Sequence, residues 1–228
     1  MRTISIAIDG PAGAGKSTIA KIVAKRMNIH YLDTGAMYRA VALKAIEMGL
    51  NCKEPGQIIP ILSLTDLSIS YCQDQQHVYL DGRDVTDLIR TPQVSAAASD
   101  IAVIPEVRMM LVKIQRELAQ QYSLVLDGRD IGTFVLPDAD KKFFLTATVD
   151  ERARRRWLEL IDKGYKMDIS EIKKDIENRD MNDMNRTFAP LRKAEDAILI
   201  DTTGKTIEQV ADEVCSHLTD ILTLHKEW

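Results

Sequence analysis

An α/β fold, with a five-stranded, mostly parallel sheet flanked by helices, is predicted by three features of the chain. A β-branched run, Ile4-Ser5-Ile6-Ala7-Ile8, stops at the turn Asp9-Gly10-Pro11; a segment of helical periodicity follows at once; and strand-then-helix order recurs downstream. Each element can be justified in turn. From Ser17 to Met27 the residues Ile19, Ala20, Ile22, Val23 and Met27 repeat at helical spacing. Tyr31-Leu32 is a short second strand, Asp33 or Thr34 an N-cap, and Ala36 to Met48 the next helix. Between Leu67 and Val85 the texture changes to alternation (Leu67, Ile69, Tyr71, then Val78, Leu80) around polar turns at Gln73 to Gln76 and Asp81-Gly82. An inserted antiparallel β element follows from that pattern. Pro105 begins a helical run through Val107, Leu111, Ile114 and Leu118. Leu124-Val125-Leu126 is a buried strand ending at Asp127-Gly128; Lys142 to Thr146 and Ile198 to Ile200 supply two more, each followed by a charged helix.

The totals exclude several classes. With 228 residues, 45% of them hydrophobic, the chain can bury one good core, and no repeat or long linker separates domains. Thirty basic against 34 acidic residues give a formal charge of -4, which argues against a polymer- or membrane-binding surface. Any anion is therefore expected at local clusters. Cys52, Cys72 and Cys215 are odd in number and share no C-x-x-C spacing, so neither a disulfide framework nor a zinc site is expected, and a reducing, cytoplasmic setting fits. Ile4 to Ile8 is too short for an export signal or a membrane span. His30, His77, His217 and His225 lack mutual motif spacing and read as structural or surface residues, and the aromatics are too scattered for a base-stacking platform.

The chemistry lies in motifs. Gly10-Pro11-Ala12-Gly13-Ala14-Gly15-Lys16-Ser17 matches G-x-x-x-x-G-K-[ST] in its required context, after a strand and opening a helix. Bare backbone N–H groups can converge on phosphate oxygens there, Lys16 can reach the β and γ phosphates, and Ser17 can ligate Mg²⁺. A flexible turn that matches by chance is the bland alternative, and the strand-loop-helix context weighs against it. No N-K-x-D element supports a GTPase. Arg39 lies about one and a half turns into the second helix, where it could grip an acceptor phosphate or simply be solvated. Asp127-Gly128-Arg129-Asp130 follows an apolar strand and should project at the sheet's carboxyl edge, whereas the same letters at Asp81 to Asp84 suit a hairpin turn. Arg152, Arg155 and Arg156 share a face on a helix capped by Asp150, with Arg154 pointing elsewhere, and Arg179, Asp183 and Arg186 share another. Either set alone could be a salt-bridged surface. Beside a nucleotide loop in an acidic chain, they read as phosphate ligands.

With these residues in hand, the chain resembles the bacterial cytidylate kinases, a family of P-loop nucleoside monophosphate kinases, over nearly its whole length. The resemblance is carried by Gly10 to Thr18, Tyr31 to Arg39, Ile104-Pro105-Glu106-Val107-Arg108, Asp127 to Thr133, Glu151-Arg152-Ala153 and Ala189-Pro190-Leu191. It implies one P-loop kinase domain over residues 1–228, a monophosphate-binding insertion over 60–104 and an arginine-bearing lid over 151–166. It implies ATP held by Gly10 to Thr18, with Mg²⁺ on Ser17. It also implies cytosine contacts from Ser99, Arg108 and Asp130, acceptor-phosphate contacts from Arg39, Arg129 and Arg186, and sugar-region contacts from Arg179 and Asp183. Thr34 stands where relatives often carry serine and keeps the hydroxyl. The substrates implied are ATP with CMP or dCMP, handled by a monomer that needs no nucleic acid or membrane.

Base chemistry independently favours cytosine. Its N4 donor and its N3 and O2 acceptors complement a carboxylate, an arginine and a hydroxyl, whereas uracil reverses two of the three. An ionised phosphate monoester needs no general base, so Lys16 and the arginines 39, 129, 152, 155, 156 and 186 are expected to neutralise charge around an in-line transfer. Kinases of UMP, AMP or shikimate are the nearest rivals. An ATP-switched regulator that grips a polymer is the rival from another class.

Overall fold

The computed structural model describes residues 2–73, 75–162 and 164–221; His225 lies outside them. Five strands, β1 (Ser5–Asp9), β2 (His30–Asp33), β6 (Leu124–Gly128), β7 (Lys141–Thr146) and β8 (Ile198–Asp201), form a parallel sheet in the order β2-β6-β1-β7-β8. Strands β3 (Leu67–Cys72), β4 (Gln75–Leu80) and β5 (Arg83–Asp84) form a separate antiparallel sheet. The helices are α1 (Lys16–Met27), α2 (Thr34–Glu47), α3 (Pro55–Leu62), α4 (Pro92–Ile101), α5 (Pro105–Gln121), α6 (Val149–Asp162), α7 (Ile169–Asn185) and α8 (Ile207–Ser216). A single π-helical turn spans Ile131–Val135.

The chain divides into two compact units, one of Met1–Thr3 and His30–Leu124, the other of Ile4–Ile29 and Val125–Trp228. In the second unit, β1 pairs with β7 from Ile6 opposite Lys141 to Asp9 opposite Phe144, and β7 pairs with β8. Ile6, Ala7 and Ile8 are all fully buried, which is why β1 reads as a continuous apolar run rather than an alternating one; in β7, Phe143 and Leu145 are fully buried on one face. β1 sits at the centre of the strand order, where chain direction along the sheet reverses; in open α/β sheets ligands bind outside the carboxyl end of such a strand.

In the first unit, α2 packs on α4 and the antiparallel sheet supplies Leu67, Val78 and Leu80 to the core. Asp81 (φ 51°) and Gly82 (φ 80°) make the two-residue turn from β4 to β5, with Leu80 opposite Arg83. Both central residues in the left-handed region is the geometry that the right-handed strand twist favours.

The structure corrects several sequence expectations. Gln75 and Gln76 belong to β4 rather than to the preceding turn. The helix from Val149 starts one residue before Asp150, and its entry is bonded by Thr148, whose Oγ1 accepts from the Glu151 N–H at 3.3 Å, while Asp150 pairs with Lys173. Of the two N-cap candidates for α2, Asp33 is the one that caps it, accepting from the Ala36 N–H. Arg186 lies just beyond α7 with extended backbone (φ -60°, ψ 139°), so helical spacing does not govern where it points. Helices α3 and α4 and the π turn lie outside the elements that the sequence predicts.

Candidate active site

The loop from Gly10 to Ser17 leaves the carboxyl end of β1. A Cβ on Gly10 would stand 2.0 Å from the Leu145 carbonyl oxygen, so only a bare backbone passes there. Lys16 is buried, and its Nζ donates to the Pro11 carbonyl at 2.7 Å. Burial, and after it the charge of Arg129, push the Lys16 pKa down to about 7 against the opposing pull of Asp127, Asp183 and Asp9. Ser17 Oγ donates to Asp127 Oδ2 at 2.7 Å. Sequence spacing alone does not pair Asp127 with Ser17. Its signal was present, since an apolar strand ending in a carboxylate beside a phosphate loop matches the aspartate that shares Mg²⁺ with the loop hydroxyl in P-loop NTPases.

Just before the loop, Asp9 is buried and accepts from the N–H groups of Ile131 (2.8 Å) and Gly132 (2.7 Å). Burial outweighs those two bonds and raises its pKa to about 6. One carboxylate thereby ties the strand feeding the phosphate loop to the backbone that follows Arg129-Asp130.

A second cluster joins Arg129 and Arg186, expected at the acceptor phosphate, with Asp183 and Asp130, expected at the sugar and the base. Arg129 Nε donates to Asp183 Oδ2 at 2.7 Å; Arg186 sets NH1 3.7 Å from Asp183 Oδ1 and NH2 3.3 Å from Asp130 Oδ1, and its Nε donates to the Ala189 carbonyl at 2.6 Å. Although burial opposes its charge, Arg129 is held above the ordinary guanidinium range by Asp183, Asp127 and Asp180. Arg179 is the opposite case, lowered first by desolvation and then by Arg156. The repulsion between these two guanidiniums would be relieved by an anion.

Arg152, Arg155 and Arg156 lie on the less exposed face of α6, with Arg154 exposed, yet the three find different partners. Arg152 turns inward and pairs with Asp180 at 2.5 Å. Arg155 bonds Glu151 and reaches the Thr202 hydroxyl (2.9 Å) and carbonyl (2.6 Å). Arg156, half-buried, pairs with Glu159 at 2.7 Å. Arg154, expected to point elsewhere, pairs with the same Glu151 as Arg155.

The first unit carries the remaining candidates. Arg39 NH2 bonds Asp33 Oδ2 at 2.8 Å, and its buried Nε has no partner among the described residues. Gln76 of β4 accepts from the Asp33 N–H (2.7 Å) and donates to the Asp33 carbonyl (3.3 Å), fixing the residue that both caps α2 and holds Arg39. Arg108, 1% exposed, donates to the Ala102 carbonyl at 3.2 Å and lies 5.6 Å over the Tyr38 ring. Thr34 is buried at the start of α2, and Ser99 is half-buried on α4. The Asp81 to Asp84 copy is occupied locally: Arg83 pairs with Glu47, and Asp84 with His77 and Thr86.

No group of three or more His, Cys, Asp or Glu side chains able to hold a metal occurs among the described residues. A hydroxyl and a carboxylate in contact, Ser17 and Asp127, nevertheless fit Mg²⁺, which usually takes one or two protein oxygens and completes its shell with phosphate and water. No helix among them is long and apolar enough to cross a membrane.

Comparison with known proteins shows the family and the fold. A family model described as cytidylate kinase matches residues 6–220. A cytidylate kinase of Caldicellulosiruptor saccharolyticus is 55% identical over 94% of this chain and 95% of its own, and one of Clostridioides difficile is 51% identical over 96% and 99%. Among solved structures, an uncharacterized protein from Eubacterium ventriosum (TM-score 0.53, 14% identity, 96% of this chain and 99% of that one) shares the fold. So does a gluconokinase from Sinorhizobium meliloti (TM-score 0.50, 12% identity, 99% and 98%).

Proposed function

The chain belongs to the cytidylate kinase family, ATP-dependent nucleoside monophosphate kinases that convert CMP to CDP, and from that premise we propose which of its residues carry the transfer. The observation that carries the proposal is the Arg129–Asp183–Arg186–Asp130 network, joined electrostatically to Lys16 of the phosphate loop.

The backbone of Gly10 to Thr18 and Lys16 hold the ATP phosphates, while Ser17 and Asp127 hold Mg²⁺, which supplies further positive charge on the phosphate oxygens when bound. A phosphate monoester with a second pKa near ~6 is largely dianionic at neutral pH, so the attacking oxygen of CMP needs no base. What the reaction needs is alignment and charge neutralisation. Arg39, Arg129 and Arg186 take the acceptor phosphate, each pre-aimed by an aspartate that can yield part of its partner to the incoming anion. Lys16 and Arg129 flank the charge that develops in the loose, in-line transition state, with Arg156 and Arg179 adding to it. Arg155, fixed by Glu151 and Thr202, serves the donor side. Arg152 acts through the loop.

Asp130, Arg108 and Ser99 read cytosine, and Thr34, Arg179 and Asp183 complete the acceptor's surroundings. Uracil would leave two of these groups unpaired at about 1–3 kcal/mol each, so preference for CMP over UMP follows. Deoxycytidylate differs only at the 2′ position and is also accepted. We assign the enzyme to the cytoplasm, as a monomer without nucleic-acid or membrane partners.

The test is ADP release across CMP, dCMP, UMP and AMP, with Asp130→Ala beside the wild type. Robust turnover on CMP and dCMP, and loss in the variant of about 100-fold or more in kcat/KM for CMP with KM for ATP nearly constant, is the expected result. Normal CMP turnover by the variant would remove Asp130 from the acceptor map.

A further inference from the structure

Ala12 has no polar side chain to offer, yet both of its backbone polar groups are held by two charges brought from outside the loop. Its N–H donates to Asp180 Oδ1 at 3.2 Å, and its carbonyl accepts from Arg152 NH1 at 2.9 Å. Arg152 NH1 is also 2.5 Å from Asp180 Oδ2, so carboxylate, guanidinium and peptide close a ring. A third bond, from Arg152 Nε to the Ala147 carbonyl at 3.0 Å, fixes the guanidinium to the end of β7. The side chains of Arg152 and Asp180 are 5% and 11% exposed. A second contact comes from the next residue. A Cβ on Gly13 would lie 3.0 Å from Arg152 Cβ and 3.2 Å from its carbonyl oxygen, so the first turn of α6 forms the wall against which the loop rests.

We infer that Asp180 and Arg152 are positioning residues for the ATP phosphates: a buried clasp that sets the phosphate-loop backbone through Ala12 and makes donor affinity depend on how α6 and α7 are seated. The inference rests on the reading of Gly10 to Thr18 as the ATP loop. Two features carry it beyond an ordinary buried ion pair. A pair whose only task was to join α6 to α7 would have no need to reach the loop peptide, whereas here each partner spends a bond on Ala12. Asp180 also stands directly after Arg179 and one turn before Asp183 on α7, so the helix that offers groups to the acceptor is the one that grips the donor loop. Because both groups are charged and buried, each bond to the loop is of the stronger, charge-assisted kind.

The experiment compares Asp180→Asn, Arg152→Gln, Arg152→Lys and the double variant Asp180→Asn/Arg152→Gln, measuring KM for ATP, KM for CMP, kcat and thermal stability. Removing a countercharge threatens folding; Arg152→Lys keeps the buried charge, and the double variant removes both charges while retaining an acceptor for the Ala12 N–H and a donor for its carbonyl. Each single variant is expected to raise KM for ATP about tenfold or more while KM for CMP stays within about twofold. The double variant is expected to regain ATP affinity relative to Asp180→Asn, a coupling that separate sites would not show. Equal rises in both KM values, unchanged KM for ATP, or strictly additive effects would overturn the inference. If wild-type enzyme itself failed to bind ATP, the fault would lie with the loop assignment instead.

Discussion

Lys16 is the residue where burial and function conflict most directly. With its pKa near 7, the free enzyme holds the ammonium only partly charged at neutral pH, yet a polyphosphate beside it strongly favours the charged form. ATP binding at pH 8 should therefore take up close to one proton, and apparent affinity should fall as pH rises above about 7. Calorimetry in two buffers of different ionisation enthalpy reads the uptake; Lys16→Met should abolish it. The sign for stability follows from the same depression. Between about 7 and the ordinary 10.5 the unfolded chain keeps a proton that the folded chain has released, so this group's contribution to stability rises with pH across that window. Asp9, raised to about 6, works oppositely in its own window, and its contribution is lost as pH climbs from 3.8 through 6. Asp127 gives a further prediction at this scale. If it shares Mg²⁺ with Ser17, Asp127→Ala should weaken the apparent Mg²⁺ affinity about 10–100-fold, visible as a rightward shift of the Mg²⁺ titration at saturating ATP and CMP. An unshifted titration would leave Asp127 as no more than a partner for the Ser17 hydroxyl.

At the scale of elements, the antiparallel insertion earns its place through one side chain. Gln76 bonds both backbone groups of Asp33, the residue that caps α2 and pairs with Arg39. Gln76→Ala should destabilise the chain by about 1–3 kcal/mol, because both Asp33 groups lose their partner. It should also raise KM for CMP severalfold with KM for ATP unchanged, a split that steady-state kinetics will resolve. The elements also explain what the sequence could disclose. The central strands β1 and β6 are legible because burial on both faces leaves short apolar runs bounded by turns. α3 was hidden by Gly56 and Pro60 inside it, which depress helix propensity. α4 was legible in principle: Thr91 and Pro92 form a cap and first turn, and Val94, Ala97, Ala98 and Ile101 fall at helical spacing, but its alanines and serines muted the pattern. The π turn depends on Asp9 gripping two amides more than 120 positions away, and no local propensity encodes that. The candidate site divides the same way. The phosphate loop and the Asp127 to Asp130 stretch announce themselves as contiguous motifs. The fates of Arg152, Arg155 and Arg156, and the part played by Asp180, are fixed by tertiary partners that helical spacing cannot name.

For the whole molecule, the decisive fact is how the candidate residues are apportioned. Thr34, Arg39, Ser99 and Arg108 belong to the unit of His30–Leu124, whereas the phosphate loop with Arg129, Asp130, Arg179, Asp183 and Arg186 belongs to the other. A chain of net charge -4 cannot gather phosphates by its overall field, so each ligand must be held by specific groups, and its footprint should follow their distribution. Amide hydrogen exchange reads such footprints directly. ATP alone should protect chiefly Gly10 to Thr18 and the segments around Asp127 and Asp180. CMP should add protection in both units, at α2 and α5 as well as at the Asp127 to Asp130 stretch. At concentrations of 100 Kd each ligand should stabilise its bound state by about 2.7 kcal/mol, moving the melting temperature upward by roughly 5–10 °C. With UMP at the same concentration the shift should be smaller. CMP that protected one unit only would strike the other unit's residues from the acceptor map, and CMP that gave no shift with ATP present would mean that the two nucleotides exclude each other.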